Sequence, residues 1–467
     1  MFIDIQAFFE TTPVSATFAV ETIKIRPEQI STDSRAIPEG GLFIPLRGEF
    51  HDGHAYLLKS FELGAQAAFC EKQVYEANRN TYADLPLLLV ENCLSAYQAL
   101  ARQWRRQLNI PVIGITGSSG KTSTKEILAA VLSPFLKVHK NKANFNNEIG
   151  VPKTLLEIPV DAQVAIIEMG MRGQGQITEL AEIAEPNLGL ITQIGTAHLS
   201  ELGSQANIAD AKWELAKFLE AHQGKLFAQA EDPLQRLAAQ QTPQLAISWC
   251  GESEDSLVRL LSVTEYDTFQ EIEYQVQAGK VHTLQLMMPG RHQVRNLLLC
   301  LGVLSALGYV LPEHTQIEPE QLFGRNQIIE LPNSATLIND AYNANPESMR
   351  ATLEVFGRRK AKRKIAVLGK MGELGPQSPQ LHAELGKFCS QLELDYLIGL
   401  GDETQILIEN AERGAFQRLW FQEHAECIQA LTQLLAPGDL LLLKASRSAQ
   451  LEKLIEGLTF VPESEGA

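Results

Sequence analysis

The chain has 467 residues, which is too long for a single hydrophobic core, so we expect two or three domains. Its composition, with 45% hydrophobic and 21% charged residues, is that of an ordinary globular protein. A formal net charge of −16 argues against nucleic acid or another polyanion as the main partner.

The sequence lacks the patterns that indicate secretion, membrane insertion or disulfide bonding. The first residues, MFIDIQAFFETT, include early acids and no basic cluster, so we do not expect a signal peptide. Apolar runs such as LLLL at 440–443 have the length of a strand, so we expect no membrane partner. Six cysteines without a CxxC pair fit neither a zinc site nor a disulfide framework. We therefore expect a cytoplasmic protein, and we expect a monomer.

The pattern of apolar segments and turns divides the chain into three α/β regions. Up to residue 93, short apolar strands such as AQAAFC alternate with Gly/Pro turns, which indicates a small domain. Strand-like and helix-like segments then alternate, a rhythm typical of βαβ units around a parallel sheet. Between 257 and 290 the alternation is residue by residue, which predicts antiparallel strands. A second α/β rhythm follows, so we predict domains at 1–93, 94–312 and 313–467.

A glycine-rich turn joins a predicted strand to a predicted helix in VIGITGSSGKTSTKEIL, residues 112–128. Such a turn directs several backbone N–H groups and a helix N-terminus at one point, which suits a phosphate. Lys121 can reach a terminal phosphate, and the Thr122 hydroxyl can ligate Mg²⁺. Ile115 stands where the general P-loop pattern has glycine, and the alternative is a plain turn with an exposed lysine. The flanking strand and helix favour a nucleotide site formed by Gly117, Ser118, Ser119, Gly120, Lys121, Thr122 and Ser123.

Two further side chains are expected near this turn because they follow strands of the same predicted sheet. Glu168 ends the strand AQVAIIE, and His198 follows the next strand. The C-terminal ends of parallel strands gather at one edge of a sheet. Thr122, Glu168 and His198 together therefore predict a metal site, whereas His198 alone is more simply explained as a structural histidine.

Seven blocks of sequence, spread in order along the chain, carry a resemblance to a known family. They are GITGSSGKTSTKE, NKANFNNEIGVPKTLL, IIEMGMRGQGQI, IGTAHLSELGSQANIADAKWE, PGRHQVRN, LINDAYNANPESM and LLKASRS. They resemble the Mur ligases, ATP-dependent enzymes that add amino acids to peptidoglycan precursors. The resemblance implies a UDP-binding N-terminal α/β domain, a central P-loop ATPase domain with a parallel sheet, and a C-terminal Rossmann-like domain.

The AYNANP block favours the branch of the family that joins D-alanyl-D-alanine to UDP-N-acetylmuramoyl-tripeptide. The resemblance implies that the tripeptide carboxylate attacks the γ-phosphate of ATP and forms an acyl phosphate. The amine of D-alanyl-D-alanine then attacks that acyl phosphate, which yields the amide, ADP and phosphate. Two anionic reactants meet in the first step, so their charge must be neutralised. Lys121 and two Mg²⁺ ions are the implied source of positive charge.

The resemblance also implies which side chains hold these ions. One Mg²⁺ would be bound by Thr122 and Glu168, and the second would lie near His198. Lys212, in NIADAKWEL, matches the family lysine that CO₂ converts to a carbamate, which is an anionic oxygen ligand. The alternative is an ordinary solvated lysine on a helix. Lys121, His198 and Lys212 are thus the expected catalytic residues.

Other matched positions are expected to bind the substrates. Asn296, Arg325 and Asp340 match family positions that approach the nucleotide. Asn343 and Asn345 are expected to contact the dipeptide or the phosphates, with local turn capping as the alternative. The remaining expected substrate residues are Ser34, Arg35 and Arg47 for the diphosphate, Asn146 and Asn147 for the peptide stem, and Lys444 and Arg447 for a carboxylate or phosphate.

Three other interpretations remain open from the sequence. A ligase similar to folylpolyglutamate synthetase would share the phosphate loop, although YNANP and the N-terminal domain argue against it. A P-loop switch protein would use hydrolysis to change conformation and would need no second substrate site. An inactive scaffold is disfavoured because the phosphate loop and the proposed metal residues are intact. The segment VLGKMGELG, residues 367–375, receives no role.

Overall fold

The computed structural model describes residues 1–19, 24–412 and 416–459 and contains three β-sheets with their helices. This architecture confirms the predicted α/β fold class. No helix within the described ranges combines the length and apolar character needed to cross a membrane. Short 3₁₀ helices occupy Pro27–Gln29, Gly53–Tyr56, Ala239–Gln241, Gly375–Gln377, Asp402–Thr404 and Arg447–Ala449.

The first region is a small five-stranded sheet with short helices. Its elements are α1 (Ile5–Thr11), β1 (Ser15–Ala16), β2 (Ile30–Ser31), β3 (Gly41–Phe43), α2 (Leu57–Glu62), β4 (Ala65–Glu71), α3 (Lys72–Ala77), α4 (Arg79–Tyr82) and β5 (Leu87–Val90). The strand order is β1-β5-β4-β3-β2, with β1 antiparallel to β5 and the other neighbours parallel. The rings of Phe8 and Phe69 stack with centroids 6.0 Å apart, so α1 packs against β4.

The central region begins with the long helix α5 (Cys93–Leu108) and contains a ten-stranded sheet. Asn92 caps this helix by accepting a hydrogen bond from the backbone N–H of Ser95 at 2.9 Å. The further elements are β6 (Val112–Thr116), α6 (Lys121–Leu132), β7 (Val138–Lys140), α7 (Gly150–Leu156), β8 (Val164–Glu168), α8 (Gln176–Ala184), β9 (Leu188–Ile191), α9 (Leu199–Leu202), α10 (Gln205–Ala221), β10 (Lys225–Gln229), α11 (Pro233–Ala238), β11 (Ala246–Gly251), β12 (Val258–Glu265), β13 (Gln270–Val276), β14 (Val281–Leu286), α12 (Arg291–Ala306) and β15 (Thr315–Ile317).

This sheet is parallel where the predicted binding residues follow its strands. The strands β7, β8, β6, β9, β10, β11 and β12 run parallel in that order, whereas β12, β13 and β14 pair antiparallel, as the sequence predicts. Both β6 and β8 are buried along their whole length, which explains their continuous apolar sequences VIGIT and VAIIE. Because β6 pairs with both β8 and β9, the C-terminal ends of these three strands lie side by side.

The central sheet extends beyond the predicted boundary at 312. Strand β15 pairs in parallel with β14, through contacts such as Leu286 with Ile317, so it belongs to the central sheet. The third sheet begins only at Gln327. The structure therefore places the join in the segment 318–326. A strand of three residues has no periodic sequence signal, so only its pairing reveals which sheet it joins.

The C-terminal region is a six-stranded sheet with helices on both faces. Its elements are β16 (Gln327–Glu330), β17 (Thr336–Asn339), α13 (Pro346–Arg358), β18 (Arg363–Leu368), α14 (Ser378–Cys389), β19 (Tyr396–Leu400), α15 (Gln405–Asn410), β20 (Gln417–Phe421), α16 (His424–Leu434), β21 (Asp439–Lys444) and α17 (Glu452–Thr459). The order is β16-β17-β21-β18-β19-β20, and only the β16–β17 pair is antiparallel among the described strands of this sheet. Along β18, Ala366 and Leu368 enter one core while Ile365 and Val367 enter another, as expected for a strand covered on both faces. The C-terminal region thus has the predicted Rossmann-like fold.

Candidate active site

A cavity of about 1020 Å³ opens where β6, β8 and β9 end, and the C-terminal region forms its opposite wall. The central region contributes the phosphate loop, the segment 144–150 and His198, while the C-terminal region contributes residues such as Asp340 and Lys444. Within the described part of the chain, Thr32 is the one lining residue that comes from the first region. The fold therefore brings three distant parts of the chain to one cavity.

The phosphate loop has a backbone shape that requires glycine. Gly117 has a φ of 148°, and a β-carbon there would lie 1.8 Å from the Thr192 hydroxyl. Gly120 has a φ of 83° and precedes α6. The Lys121 ammonium donates to the carbonyl of Gly117 at 2.6 Å, so it lies over the loop. Of the predicted loop residues, Ser118, Ser119, Gly120, Lys121, Thr122 and Ser123 line the cavity and Gly117 does not.

Glu168, at the end of β8, offers a carboxylate oxygen beside this loop. Its Oε1 accepts a hydrogen bond from Asn146 at 2.9 Å, whereas its buried Oε2 has no hydrogen-bond partner within the described ranges. The buried Nζ of Lys125 lies 3.8 Å from Oε2. A buried carboxylate oxygen without a donor is costly, and here it lines the cavity together with Thr122. A carboxylate and a hydroxyl in this arrangement fit a divalent cation.

His198 lines the same cavity, as the sequence predicts, and has an unusual backbone conformation. It precedes α9 with a φ of 65°, a left-handed conformation that residues other than glycine seldom adopt. Its Nδ1 lies 2.7 Å from Oε2 of Glu373, a residue of the C-terminal region. The structure thus brings Thr122, Glu168 and His198 together.

Lys212 differs from an ordinary helix lysine in its burial and in its pairing. Its side chain lies within α10 and is 0% exposed, and its Nζ has no hydrogen-bond partner in the part of the chain that the structure describes. Burial, and after it the positive charge of Lys121, lower the pKa of Lys212 well below its ordinary value. Lys212 does not line the cavity. The alternative of a solvated lysine is wrong, because the side chain is closed off from solvent.

The three predicted nucleotide residues, Asn296, Arg325 and Asp340, all line the cavity. Asn296 lies against the phosphate loop, because a β-carbon on Gly120 would come within 3.1 Å of its amide atoms. The Arg325 guanidinium lies over the ring of Tyr342, 4.4 Å from the ring centroid. The Arg325 guanidinium with the Tyr342 ring offers a planar surface, and the Asn296 side chain offers an amide beside the phosphate loop. Both kinds of surface suit a nucleotide.

Asp340 and Lys444 form an ion pair in the C-terminal wall of the cavity. The Nζ of Lys444 lies 2.5 Å from Oδ2 of Asp340, and the Thr352 hydroxyl donates to the same oxygen at 2.8 Å. An incoming phosphate or carboxylate would compete with Asp340 for the ammonium. Asp340 therefore holds the Lys444 ammonium at the cavity and pairs with its charge.

The four predicted asparagines Asn146, Asn147, Asn343 and Asn345 line the cavity, and three of them also stabilise local backbone. Oδ1 of Asn147 accepts from the N–H three residues later at 2.9 Å, and Oδ1 of Asn345 caps α13 in the same way at 2.8 Å. Oδ1 of Asn343 accepts from the next N–H at 2.9 Å. Turn capping, the alternative for Asn343 and Asn345, thus uses the side-chain oxygens of both residues. Their amide nitrogens take no part in these hydrogen bonds.

Four predicted substrate-binding residues lie outside the cavity, namely Ser34, Arg35, Arg47 and Arg447. Arg35 pairs with Asp33 at 2.8 Å, and this hydrogen-bonded pair lowers the pKa of the Asp33 carboxyl to about 2. The Arg447 side chain is 61% exposed. The structure does not bring these four to the other predicted residues.

Arg47 belongs instead to a polar cluster in the first region. Its Nη2 lies 2.8 Å from Oε2 of Glu71, and potential ligand atoms of Glu71, His54 and Cys93 lie within 4.8 Å of one another. Both ring nitrogens of His54 have partners, because Nδ1 lies 2.6 Å from Asp52 and Nε2 accepts the N–H of Glu71 at 3.2 Å. Burial also raises the pKa of the Cys93 thiol. A structural network explains this cluster better than a metal site.

Two carboxylates of the C-terminal wall, Glu347 and Glu373, were not predicted from the sequence. Glu347 lies in the first turn of α13, and Glu373 lies in VLGKMGELG, which follows β18. The buried Lys125, one helical turn after Lys121 in KTSTK, was also not predicted. The available signal for the two carboxylates was their position in the segments that follow β17 and β18, because binding residues collect where parallel strands end. For Lys125 the signal was its position in α6, one turn beyond the phosphate loop.

The matches to protein-family models cover most of the chain beyond the first region. Residues 115–304 match the model described as "Mur ligase middle domain". Residues 324–447 match the model described as "Mur ligase, glutamate ligase domain".

Individual relatives and solved structures match over nearly the full length. The chain is 37% identical to UDP-N-acetylmuramoyl-tripeptide–D-alanyl-D-alanine ligase of Synechocystis sp., with 97% of this chain and 96% of that protein covered. It is similar to the crystal structure of MurF from Acinetobacter baumannii, with a TM-score of 0.87, 29% identity and coverage of 97% and 98%. It is also similar to MurF ligase from Thermotoga maritima in complex with ADP, with a TM-score of 0.81, 26% identity and coverage of 92% and 97%.

Proposed function

This chain belongs to the Mur ligase family, and from that premise we propose its reaction and the residues that perform it. It is an ATP-dependent ligase that joins D-alanyl-D-alanine to UDP-N-acetylmuramoyl-tripeptide in peptidoglycan precursor synthesis, with ADP and phosphate as products. The observation that carries this assignment is the similarity over 97% of the chain to a relative of that name. The cavity between the central and C-terminal regions supplies the phosphate loop that the reaction needs.

The first chemical step requires that two anions approach each other. Lys121, above the phosphate loop, would bind the γ-phosphate, and Lys444 would turn from Asp340 towards a phosphate or carboxylate. The backbone N–H groups of the loop and the N-terminus of α6 would orient the phosphates. Asn296, Arg325 and Asp340 would hold the adenosine part of the nucleotide.

Two magnesium ions, when bound, would supply additional positive charge between the phosphates and the incoming carboxylate. Thr122 and Glu168 fit one ion, and Oε2 of Glu168, which has no hydrogen-bond partner within the described ranges, supports this placement. His198 would hold the second ion together with a carbamate on Lys212.

The environment of Lys212 favours carbamate formation. Its lowered pKa leaves the amine neutral at a pH where an exposed lysine is charged, and only the neutral amine attacks CO₂. In this reaction the nitrogen forms a bond to the CO₂ carbon, one amine proton is released, and a carbamate anion remains. The negative charge then lies near Lys121, so the carbamate replaces a repulsion between two ammonium groups by an attraction.

The N-terminal residues Ser34, Arg35 and Arg47 would bind the diphosphate of the UDP-linked substrate, and Asn146 and Asn147 would contact its peptide stem. Asn343 and Asn345 would act on the side of the dipeptide, whereas Arg447, which is exposed outside the cavity, would contribute little in this arrangement of the regions. The three predicted domains, with the second boundary moved from 312 to the segment 318–326, would thus divide the binding of sugar nucleotide, ATP and dipeptide. We propose that the protein works in the cytoplasm as a monomer, with these small molecules as partners and with neither nucleic acid nor membrane.

The test is an assay of the purified protein with ATP, Mg²⁺, D-alanyl-D-alanine and either the lysine or the diaminopimelate form of the UDP-tripeptide. We expect phosphate release only when both acceptor and dipeptide are present, with a product mass that corresponds to the extended peptide. Phosphate release without either substrate would indicate a P-loop switch. Extension of a folate instead would indicate the folylpolyglutamate-synthetase-like alternative. The phosphate-loop variant Lys121→Met is the control for contaminating ATPase activity.

A further inference from the structure

The loop 195–200, which carries His198, is contacted by two carboxylates of the C-terminal region. One of them is Glu347, in the first turn of α13. Its Oε1 accepts the backbone N–H of Thr196 at 2.9 Å, and its Oε2 accepts the Thr196 hydroxyl at 3.1 Å. Both oxygens of Glu347 are therefore used on one residue of the central region, two positions before His198.

The second carboxylate is Glu373, in the segment that follows β18. Its Oε2 lies 2.7 Å from Nδ1 of His198, which is an ion-pair distance, although within the described residues Nδ1 has no partner with hydrogen-bond geometry. The backbone carbonyl of Glu373 accepts the N–H of Ser200 at 3.2 Å. His198 and Glu373 both have left-handed backbones, with φ of 65° and 59°. Such conformations persist where surrounding contacts hold them, so the two strained residues stabilise each other across the interface.

The two surfaces also fit closely at glycines. A β-carbon on Gly195 would lie 2.8 Å from the carboxyl carbon of Glu347, and one on Gly375 would lie 3.2 Å from Ser200. Any side chain at Gly195 would displace Glu347. The central and C-terminal regions are therefore closely packed at this contact, and His198, which is predicted to hold a cation, lies within it.

We propose that Glu347 and Glu373 are positioning residues through which the C-terminal region sets the orientation of His198 for metal binding. This inference rests on the proposed function, in which His198 holds the second ion. The Glu373 carboxylate occupies the Nδ1 side of the ring and leaves Nε2 as the nitrogen for a metal. A carboxylate beside the other ring nitrogen orients a ligating histidine and strengthens its metal binding. Because both carboxylates come from the other side of the cavity, the second metal site is complete only while the C-terminal region is docked.

The experiment measures Mn²⁺ binding to the full chain with a non-hydrolysable ATP analogue and bicarbonate, by the electron paramagnetic resonance signal of free Mn²⁺. We expect Glu373→Gln to weaken the binding of one of the two ions by about 10- to 100-fold, the range seen when an outer partner of a ligating histidine is removed. Glu347→Gln should weaken the binding of the same ion by a smaller factor, because Glu347 contacts Thr196 and does not contact the His198 ring.

A double-mutant cycle separates positioning from simple surface charge. Thr196→Val removes the hydroxyl that Glu347 accepts and keeps the side-chain shape, so its effect on Mn²⁺ affinity should not add to that of Glu347→Gln. The matched control is Glu354→Gln, an exposed carboxylate on the same helix α13, which should leave both ions unchanged. Circular dichroism and thermal unfolding of each variant confirm that the fold is retained.

The variant His198→Ala distinguishes failure of this inference from failure of the proposed function. Suppose that His198→Ala weakens binding of the second ion, whereas the double variant Glu347→Gln/Glu373→Gln binds both ions with unchanged affinity. The positioning role is then refuted, and the metal role of His198 stands. If His198→Ala leaves both affinities unchanged, the proposed metal role is refuted, and this inference with it.

Discussion

The predicted phosphate side of the molecule, around Glu168 and Lys212, and its predicted sugar-nucleotide side, around Arg35 and Arg47, differ in how their polar groups are paired. At the phosphate side, Oε2 of Glu168 and Nζ of Lys212 are buried without hydrogen-bond partners within the described ranges. At the sugar side, Arg35 and Arg47 are exposed and are already paired with carboxylates of their own region. Buried atoms without hydrogen-bond partners cost stability, and beside a cavity such an atom indicates room for a ligand. Exposed ion pairs contribute little to stability and do not indicate a binding site. Substitutions on the phosphate side should therefore affect activity more than substitutions on the sugar-nucleotide side.

The largest effect is expected for Lys121→Met, at the centre of the phosphate side. The substitution removes the ammonium that neutralises the γ-phosphate, and we expect kcat to fall by about 10³-fold, as for the loss of one preorganised charge-stabilising donor. Steady-state kinetics with both UDP-tripeptide and dipeptide saturating measure the loss, and ADP titration tests whether nucleotide binding survives. A variant with kcat within threefold of the parent would remove the phosphate loop from the mechanism.

The next effect is expected for Lys212→Met, which should separate activity from stability. Loss of the carbamate should lower kcat by about 10²-fold, in the lower part of the range for a charge-stabilising group. The apolar side chain should raise the free energy of unfolding of the unmodified protein by about 1–3 kcal/mol, because it removes a buried polar group without a partner. Chemical denaturation in bicarbonate-free buffer and ¹³C NMR with labelled bicarbonate measure the two effects. Lys217→Met, an exposed position on the same helix, is the matched control.

The pH dependence of stability should change in the same variant. The folded-state pKa of Lys212 is lowered below its ordinary 10.5, so the unfolded chain binds more protons between the two values. The free energy of unfolding of the unmodified protein should therefore rise with pH across that window, and Lys212→Met should remove this rise. An unchanged pH slope would mean that Lys212 stays charged in the fold.

A smaller effect is expected for Arg47→Ala on the sugar side. If Arg47 binds the diphosphate, its removal should raise KM for the UDP-tripeptide about tenfold with kcat unchanged, because it loses one charge-assisted hydrogen bond. Arg79→Ala, an exposed arginine of the same region, should leave KM unchanged. Equal KM values for both variants would show that Arg47 serves only its pairs with Glu71 and Asp52.

The smallest effect is expected for Arg447→Ala, which sharpens the boundary of the site. Its side chain is 61% exposed, lies outside the cavity and pairs only loosely with Glu452 at 3.7 Å. We expect kcat and KM to change by less than about twofold, as for other surface ion pairs. Lys444→Met, three residues earlier and inside the cavity, should reduce kcat more strongly. A tenfold loss in Arg447→Ala would show that the C-terminal region moves further over the substrates than in this structure.

Much of the site could be predicted because it follows from local sequence. The phosphate loop is defined by two glycines, and Glu168 and His198 follow strands whose ends a parallel sheet must align. The contacts of Glu347 and Glu373 could not be predicted, because they join segments more than 150 residues apart. The same limit applies to β15, whose three residues reveal their sheet only through pairing.

The sequence by itself determined the order of α/β regions, the phosphate loop and the family, because these depend on residue type and on spacing along the chain. The tertiary structure alone decided which polar groups are left without partners. Lys212 looks like any helix lysine until neighbouring elements bury it, and Arg47 looks free until Glu71 is found beside it. Burial and pairing are properties of distant segments in contact, so no local pattern can encode them.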